Sequence, residues 1–538
     1  MDGIHIRLMQ VLTSTSFVHA LAALYNSCLE HARTPHAWNE TMVCLIVKDK
    51  TRRKDADNVQ PITLIGMFRK VFECLLLRRF DTNGWARVQP TKAGFRSHYS
   101  TCVNAAALHA LLESRHVTHV AFIELKAAFD VVDHALLMEV LRQRDCPPRM
   151  RASIASLTFH DVRSRVAADG EASAWFPRTR EVLQGSPLSP YLFNIFVDGL
   201  LEELNRSATT VPRLLFYVDD GTLLGCSAAE IQRLLDIAAA WSLRHRMTLN
   251  GKKCGYIAPP ESHTPVHLAD ETVPRLDKYA YLGFPMTGVG IHFTKHFTKR
   301  LDQACGRAAF LSVHSNRWGP AHRLRIYRQY LAPMFEYGAP LLAASAERCP
   351  QIWDVGGIAM KRLTGWIAGY DSNSHLIRNL LGLQPLEGRF AALKAVFQII
   401  ILYCPESSPL RTLRALDEGG CAFYRHLTDD QSFRDFLTSH PSAPTLQAKV
   451  KLSLRSFLHQ RQHQALLQDA KRRKLTGLIP LDSRLKHGKR GADRVLRAPK
   501  LYQKLFLQYR RGTYATGYKC VYLAAPFFHR RHEACCHL

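Results

Sequence analysis

The stretch Leu214-Leu215-Phe216-Tyr217-Val218-Asp219-Asp220-Gly221-Thr222-Leu223-Leu224 sets two adjacent carboxylates between two apolar arms. Such a pair is costly beside hydrophobic residues unless a cation neutralises it. Short apolar arms joined by a polar tip containing Asp-Asp-Gly predict a hairpin with the acids crowded at its turn. Taken alone, the same residues also read as an ordinary Asp-Asp-Gly surface turn. The decision between a cation site and a surface turn rests on the rest of the chain.

Three further segments bear on it. About ninety residues upstream, Val120-Ala121-Phe122-Ile123-Glu124-Leu125-Lys126-Ala127-Ala128-Phe129-Asp130 is a strand-like apolar run that ends on a carboxylate and passes into a helical pattern. Between the two acidic segments lies Leu183-Gln184-Gly185-Ser186-Pro187-Leu188-Ser189-Pro190, leading into the helix-like Tyr191-Leu192-Phe193-Asn194-Ile195-Phe196. Downstream, Tyr281-Leu282-Gly283-Phe284 is a short apolar unit with a turn in it. In order and in residue type these segments resemble motifs A, B, C and E of the reverse transcriptases of non-LTR (LINE-type) retrotransposons.

Flanking segments widen the resemblance. Pro61-Ile62-Thr63-Leu64 with Lys70-Val71-Phe72-Glu73, and Ala93-Gly94-Phe95-Arg96 with Ser100-Thr101, are similar to the family's fingers motifs. Trp241, Leu249-Asn250 and Lys253-Cys254 are similar to motif D. Asp2-Gly3-Ile4 resembles the start of the polymerase region, and Pro333-Met334-Phe335-Glu336-Tyr337-Gly338 its thumb, with a weaker echo at Leu380-Leu381-Gly382-Leu383-Gln384-Pro385-Leu386-Glu387. The resemblance implies an α+β right-hand polymerase with an antiparallel palm sheet and a helical C-terminal region. The corresponding division is fingers and palm in residues 1–290, a helical thumb in 291–345, a helical connection in 346–448 and a basic region in 449–538. In this family an endonuclease is usually part of the same protein. None is recognisable before Asp2, so the reading is a fragment or a degenerate copy, with an endonuclease supplied elsewhere.

Composition agrees with that reading. The chain of 538 residues has 47% hydrophobic residues, enough for two or three compact cores. Lys and Arg number 72 against 45 Asp and Glu, a formal net charge of +27. Such a surplus favours polyphosphate partners, because neutralised phosphates release condensed counterions. No lipidation signal or membrane-spanning apolar run is recognisable, so nucleic acid rather than a membrane is the expected partner. The 14 cysteines contain no CxxC pair and no signal peptide precedes them, which predicts free thiols in a reducing, intracellular setting.

What the resemblance implies for chemistry is phosphodiester formation on a primer 3′-hydroxyl by RNA-directed DNA synthesis. The recurrent solution uses two divalent ions roughly 3.5–4 Å apart, here two Mg2+ with a dNTP as substrate and an RNA template and DNA primer as partners. The family's metal ligands fall on Glu124, Asp219 and Asp220. Phe129 falls on the aromatic that stacks under the sugar and excludes a 2′-hydroxyl; plain core packing is its other reading. Gln184 and Gly185 fall on the segment lining the nucleotide and template pocket, where an amide and a flexible backbone are expected. Arg96 falls where a guanidinium grips the triphosphate. Lys253 falls near the lysine proposed to protonate the leaving pyrophosphate, and also reads as a solvated surface lysine.

Two departures stand out. The family's motif A runs Asp-Leu-Lys-x-Ala-Phe-Asp, whereas here Glu124 leads and Lys126-Ala127-Ala128-Phe129 fixes the register. The extra methylene moves the carboxylate by on the order of 1 Å, where metal distances tolerate about 0.2 Å. Gln60 stands where the family usually has Arg before Pro-Ile, removing a cation from the fingers or making a harmless surface change. The alternative function is therefore a catalytically inactive nucleic-acid-binding remnant of such an element. A maturase reading would need a splicing domain after the thumb, and none is recognisable.

Residues 449–511 hold 18 Lys or Arg against three Asp, including Lys471-Arg472-Arg473-Lys474. That run reads as a solvated face, a grip on template or element RNA, or a nuclear import signal, which gives the expectation of nuclear localisation. Cys520, His532, Cys535, Cys536 and His537 suggest a zinc knuckle, but their spacing fits no standard zinc pattern.

Overall fold

The computed structural model describes residues 14–48, 58–96, 99–160, 162–168, 170–206, 212–314, 318, 320–341, 386–402 and 408. The basic region, the cysteine–histidine tail and the first ten residues lie outside the described residues. The chain divides after Gly290 into two compact units.

The first unit begins with α1 (Thr15–Glu30), the hairpin strands β1 (Glu40–Val47) and β2 (Val59–Leu64), α2 (Met67–Asn83) and α3 (Thr101–Glu113). Then follow β3 (His119–Glu124), α4 (His134–Gln143), α5 (Pro148–Thr158), β4 (Arg163–Ala168), β5 (Glu171–Ala172), β6 (Phe176–Pro177) and α6 (Ser189–Asn205). The unit continues through β7 (Leu214–Tyr217), β8 (Asp220–Gly225), α7 (Ala228–Arg244), β9 (Gly255–Ile257), β10 (His267–Leu268), β11 (Glu271–Thr272), β12 (Lys278–Tyr281) and β13 (Phe284–Thr287). Helix and antiparallel sheet are mixed, as the α+β expectation requires.

A four-stranded sheet in the order β7-β8-β3-β9 organises the first unit. Every neighbour in it is antiparallel. β3 is paired on both edges and buried along nearly its whole length, which explains its continuous apolar run. α6 and α7 cover the sheet. α6 buries Leu192, Phe193, Phe196, Leu200 and Leu204, and α7 buries Leu234, Leu235 and Trp241 in the same core. Each large side chain fully removed from water contributes about 1.5–3 kcal/mol.

Local sequence sets the helix boundaries. Asp133 caps α4 by accepting the Leu136 N–H at 3.1 Å, so the segment after Glu124 runs through turns and becomes helical only at His134. Ser227 accepts the Glu230 N–H at 3.2 Å and the Glu230 carboxylate accepts the Cys226 N–H at 2.7 Å, satisfying two exposed donors at the start of α7. Gly84, in the left-handed conformation, ends α2.

A second sheet runs β2-β1-β4-β5, with β6 also paired to β4. β1 pairs antiparallel with β2, which places Gln60 opposite Ile46, and parallel with β4. A fully buried ion pair anchors α2 beside this sheet. Arg69 Nε meets Glu73 Oε1 at 2.7 Å, and the guanidinium donates to the carbonyls of Trp38 at 2.8 Å and Leu157 at 2.6 Å. Glu73 Oε2 accepts the Ser186 hydroxyl at 2.5 Å. Arg69→Met leaves the Glu73 charge uncompensated and is expected to cost about 3–5 kcal/mol. The urea midpoint reads this directly, and an unchanged midpoint contradicts it.

In the second unit, α8 (Phe293–His314) precedes α9 (Pro320–Ile326), a π-helical turn (Tyr327–Leu331), α10 (Ala332–Glu336) and α11 (Leu386–Leu402). The wide turn falls just before Pro333, which cannot donate to the Gln329 carbonyl and crowds it. Arg389 on α11 grips Glu336 through two bonds, Nε to Oε1 at 2.9 Å and Nη2 to Oε2 at 2.8 Å. No helix among the described residues is long and apolar enough to cross a membrane.

Candidate active site

The acidic hairpin forms, with a small change in register. Tyr217 pairs with Asp220 across β7 and β8, so Val218 and Asp219 are the two central residues of the turn. Gly221 lies inside β8 rather than at the tip. A Cβ there would come within 2.8 Å of Ile123 Cγ1 and 3.0 Å of Phe216, so glycine is needed for close packing between strands, not for the turn. Val218 carries the positive φ, at 58°, which a type II′ turn demands of its first central residue. For a β-branched side chain that conformation is strained.

β3 delivers Glu124 to this turn. Glu124 is the register partner of Asp220, and the Leu125 N–H donates to the Asp219 carbonyl at 3.0 Å. On the other side the Asn250 N–H donates to the Glu124 carbonyl at 2.8 Å, tying in the segment that bears Lys253. Three acids from two distant segments are thus brought to one edge of one sheet. Lys253 joins them, its Nζ bonded to Glu124 Oε1 at 2.5 Å. The Tyr279 hydroxyl holds the Lys253 carbonyl at 2.8 Å while its ring stacks on Phe122 at 4.0 Å.

The electrostatics are those of crowded acids. Burial, then the neighbouring Asp219 and Glu124 charges, push Asp220 up to about 6. Burial and Glu124 also raise Asp219, while Lys92 and Lys253 oppose the shift. Folded Asp220 therefore holds a proton across a pH range in which the unfolded chain has lost it. Stability falls as pH rises from the ordinary carboxylate range to about 6. Asp220→Asn removes that cost and is expected to raise Tm at pH 7 by about 2–4 °C, a gain that shrinks towards pH 4. Thermal melts at the two pH values decide it.

Carboxylates that repel one another in this way suit a hard divalent cation in donor type and in place. Among the described residues, however, no three His, Cys, Asp or Glu side chains converge closely enough to hold a metal ion. Glu124 is taken up by Lys253 and has to leave it to join Asp219 and Asp220 as a ligand.

The remaining expected site residues form a second cluster. Phe129 stacks on Phe193 at 4.7 Å and meets Phe95 edge-on at 6.1 Å, at the end of the Arg96 segment. The Gln184 amide donates to Asp130 Oδ1 at 2.7 Å, and the Val182 N–H donates to the Phe129 carbonyl at 2.9 Å. Gly185 is pinned rather than flexible. Its φ is 128°, a Cβ would stand 2.3 Å from the Thr63 carbonyl oxygen, and the Thr63 N–H donates to the Gln184 carbonyl at 2.6 Å. The Arg96 guanidinium lies over Tyr99 and donates to the carbonyls of Lys92 at 2.8 Å and Gln89 at 3.1 Å, so it grips its own loop.

Two features have no counterpart in the sequence reading. Lys92 is fully buried beneath the acid turn, and the Arg69–Glu73–Ser186 chain braces the Gly185 turn from behind. Neither feature carries a periodic signal, although Glu73 and Ser186 lie within segments that carry the family resemblance.

Residues 48–286 match the family described as reverse transcriptase (RNA-dependent DNA polymerase). This stretch is similar to the reverse transcriptases of non-LTR retrotransposons. The chain is 27% identical over 354 residues to the RNA-directed DNA polymerase from mobile element jockey of Drosophila melanogaster, covering 61% of this chain and 38% of that protein. It is 23% identical over 298 residues to the Pol polyprotein from type-1 retrotransposable element R2 of Nasonia vitripennis, covering 51% of this chain and 29% of that protein. The chain thus spans well under half the length of these relatives. Among solved structures, apo telomerase from Candida tropicalis is 10% identical over 74% of this chain and 73% of its own, at a TM-score of 0.36.

Proposed function

We propose that this chain is an RNA-directed DNA polymerase that extends a DNA primer on an RNA template. The meeting of Glu124, Asp219 and Asp220 at one sheet edge carries the reading. Bound there, magnesium ions would lower the pKa of the primer hydroxyl and neutralise charge on the transferring phosphate. Asp219 and Asp220 would hold them, with Glu124 after release from Lys253. Lys253, freed in the same step, stands where an ammonium can deliver a proton to the leaving pyrophosphate. Phe129 would lie under the deoxyribose, with Gln184 and Gly185 beside it. Arg96 would have to exchange its loop carbonyls for the triphosphate.

In this reading the four-stranded sheet with α6 and α7 is the palm and the β1–β2–β4 sheet belongs to the fingers, together in residues 1–290. The helices of 291–345 form the thumb, 346–448 a connection, and the basic 449–538 region grips nucleic acid and directs the protein to the nucleus. The test is extension of a 5′-labelled DNA primer annealed to RNA, with dNTPs and magnesium. The reading predicts template-directed products that disappear with chelator; a chain that binds the hybrid without extending it supports the remnant instead.

A further inference from the structure

The fully buried Lys92 packs beneath the acid turn, and its contacts are specific. Nζ donates to the Val218 carbonyl at 2.5 Å and lies 4.2 Å from the centre of the Phe216 ring and 5.2 Å from that of Phe193. The backbone on either side is zipped to the hairpin. The Phe216 N–H donates to the Thr91 carbonyl at 2.9 Å and the Ala93 N–H to the Phe216 carbonyl at 2.8 Å. Gly94 slips under the turn, where a Cβ would stand 2.7 Å from the Val218 nitrogen, and the Asn194 amide fixes the Gly94 carbonyl at 2.8 Å. Burying an ammonium is costly without compensation. Here its one hydrogen bond goes to the single strained residue of the hairpin.

We propose that Lys92 is a positioning residue that holds Val218 in its left-handed conformation and thereby sets where Asp219 and Asp220 stand. A valine at φ 58° drifts towards extended backbone when nothing restrains it. Such a drift rotates the Val218–Asp219 peptide and swings both carboxylates away from the end of β3. The rings of Phe216 and Phe193 supply the rest of the ammonium's environment through their negative faces. The consequence for catalysis rests on the polymerase reading; the consequence for the turn does not.

The test is a double-mutant cycle on the full chain with two readouts. Lys92→Met keeps the apolar stem and removes the ammonium. Hydrogen exchange of residues 214–225 is expected to accelerate about tenfold while exchange in α7 is unchanged. Adding Val218→Gly is expected to recover most of that loss, because glycine holds positive φ without a clamp. In primer extension, Lys92→Met lowers kcat about tenfold and leaves the dNTP KM unchanged, and Val218→Gly again recovers part of it. Should Lys92→Met fail to fold, Lys92→Gln, with a donor too short to reach Val218, is read in the same way. Unchanged exchange in the single variant, or no recovery by glycine, overturns the proposal. A wild-type chain without extension overturns the polymerase reading instead and leaves the exchange experiment to judge Lys92.

Discussion

Glu124→Asp is expected to raise the rate of primer extension by about a hundredfold. The backbone of position 124 already stands opposite Asp220, and the Asp219 carbonyl already accepts the N–H of Leu125, just past the end of β3. In the polymerase reading, the difference from the family's aspartate is one of side-chain length. The Glu124 carboxylate is bonded to Lys253 Nζ at 2.5 Å and would have to leave it to serve as a ligand. Removing the extra methylene draws the carboxylate back by on the order of 1 Å, a large step against the roughly 0.2 Å that metal geometry tolerates. Single-turnover extension in magnesium measures the gain. An Asp variant no faster than the natural chain would mean that side-chain length at 124 is not what limits the site.

Asp219→Asn is expected to abolish magnesium-dependent extension, a loss of at least about a thousandfold, because several kcal/mol of charge stabilisation leave with one carboxylate. The amide is close in shape, and the contact that fixes the turn to β3 uses the Asp219 backbone carbonyl, which the substitution keeps. Affinity for the RNA–DNA hybrid should therefore stay within about twofold, since it comes mainly from basic side chains on phosphates. Filter binding and extension on the same preparations separate the two effects. Extension that survives Asp219→Asn places the chemistry elsewhere, whereas equal loss of binding and extension signals an unfolded variant.

Much of the site was legible in sequence wherever the signal is local. Short apolar arms around Tyr217-Val218-Asp219-Asp220 predicted the hairpin. Leu282 and Gly283, both with positive φ, close the turn between β12 and β13 where Tyr281-Leu282-Gly283-Phe284 suggested one. The apolar face after Pro190 became α6. Other features depend on contacts that no local pattern encodes. The pairing of Glu124 with Asp220 joins segments nearly a hundred residues apart and rested on family resemblance alone. Gly221 looked like a turn residue because Asp-Asp-Gly is turn chemistry, but interstrand packing against Ile123 and Phe216 claims it. Lys92 carries no signal in the sequence, and only the fold closes the Phe216 and Phe193 rings around it. Arg96 looked free to meet a triphosphate, and only the fold shows its guanidinium bonded within its own loop.

The central proposal is that Asp219 and Asp220, joined by Glu124 once it leaves Lys253, bind a divalent cation. Manganese binding, followed by the loss of its free electron paramagnetic resonance signal, tests it most directly in the natural chain and in the Asp219→Asn and Asp220→Asn variants. The account predicts a saturable site in the natural chain that each substitution weakens at least tenfold, and that Glu139→Gln, at an exposed side chain of α4, leaves unchanged. Equal manganese binding by all four proteins would contradict it.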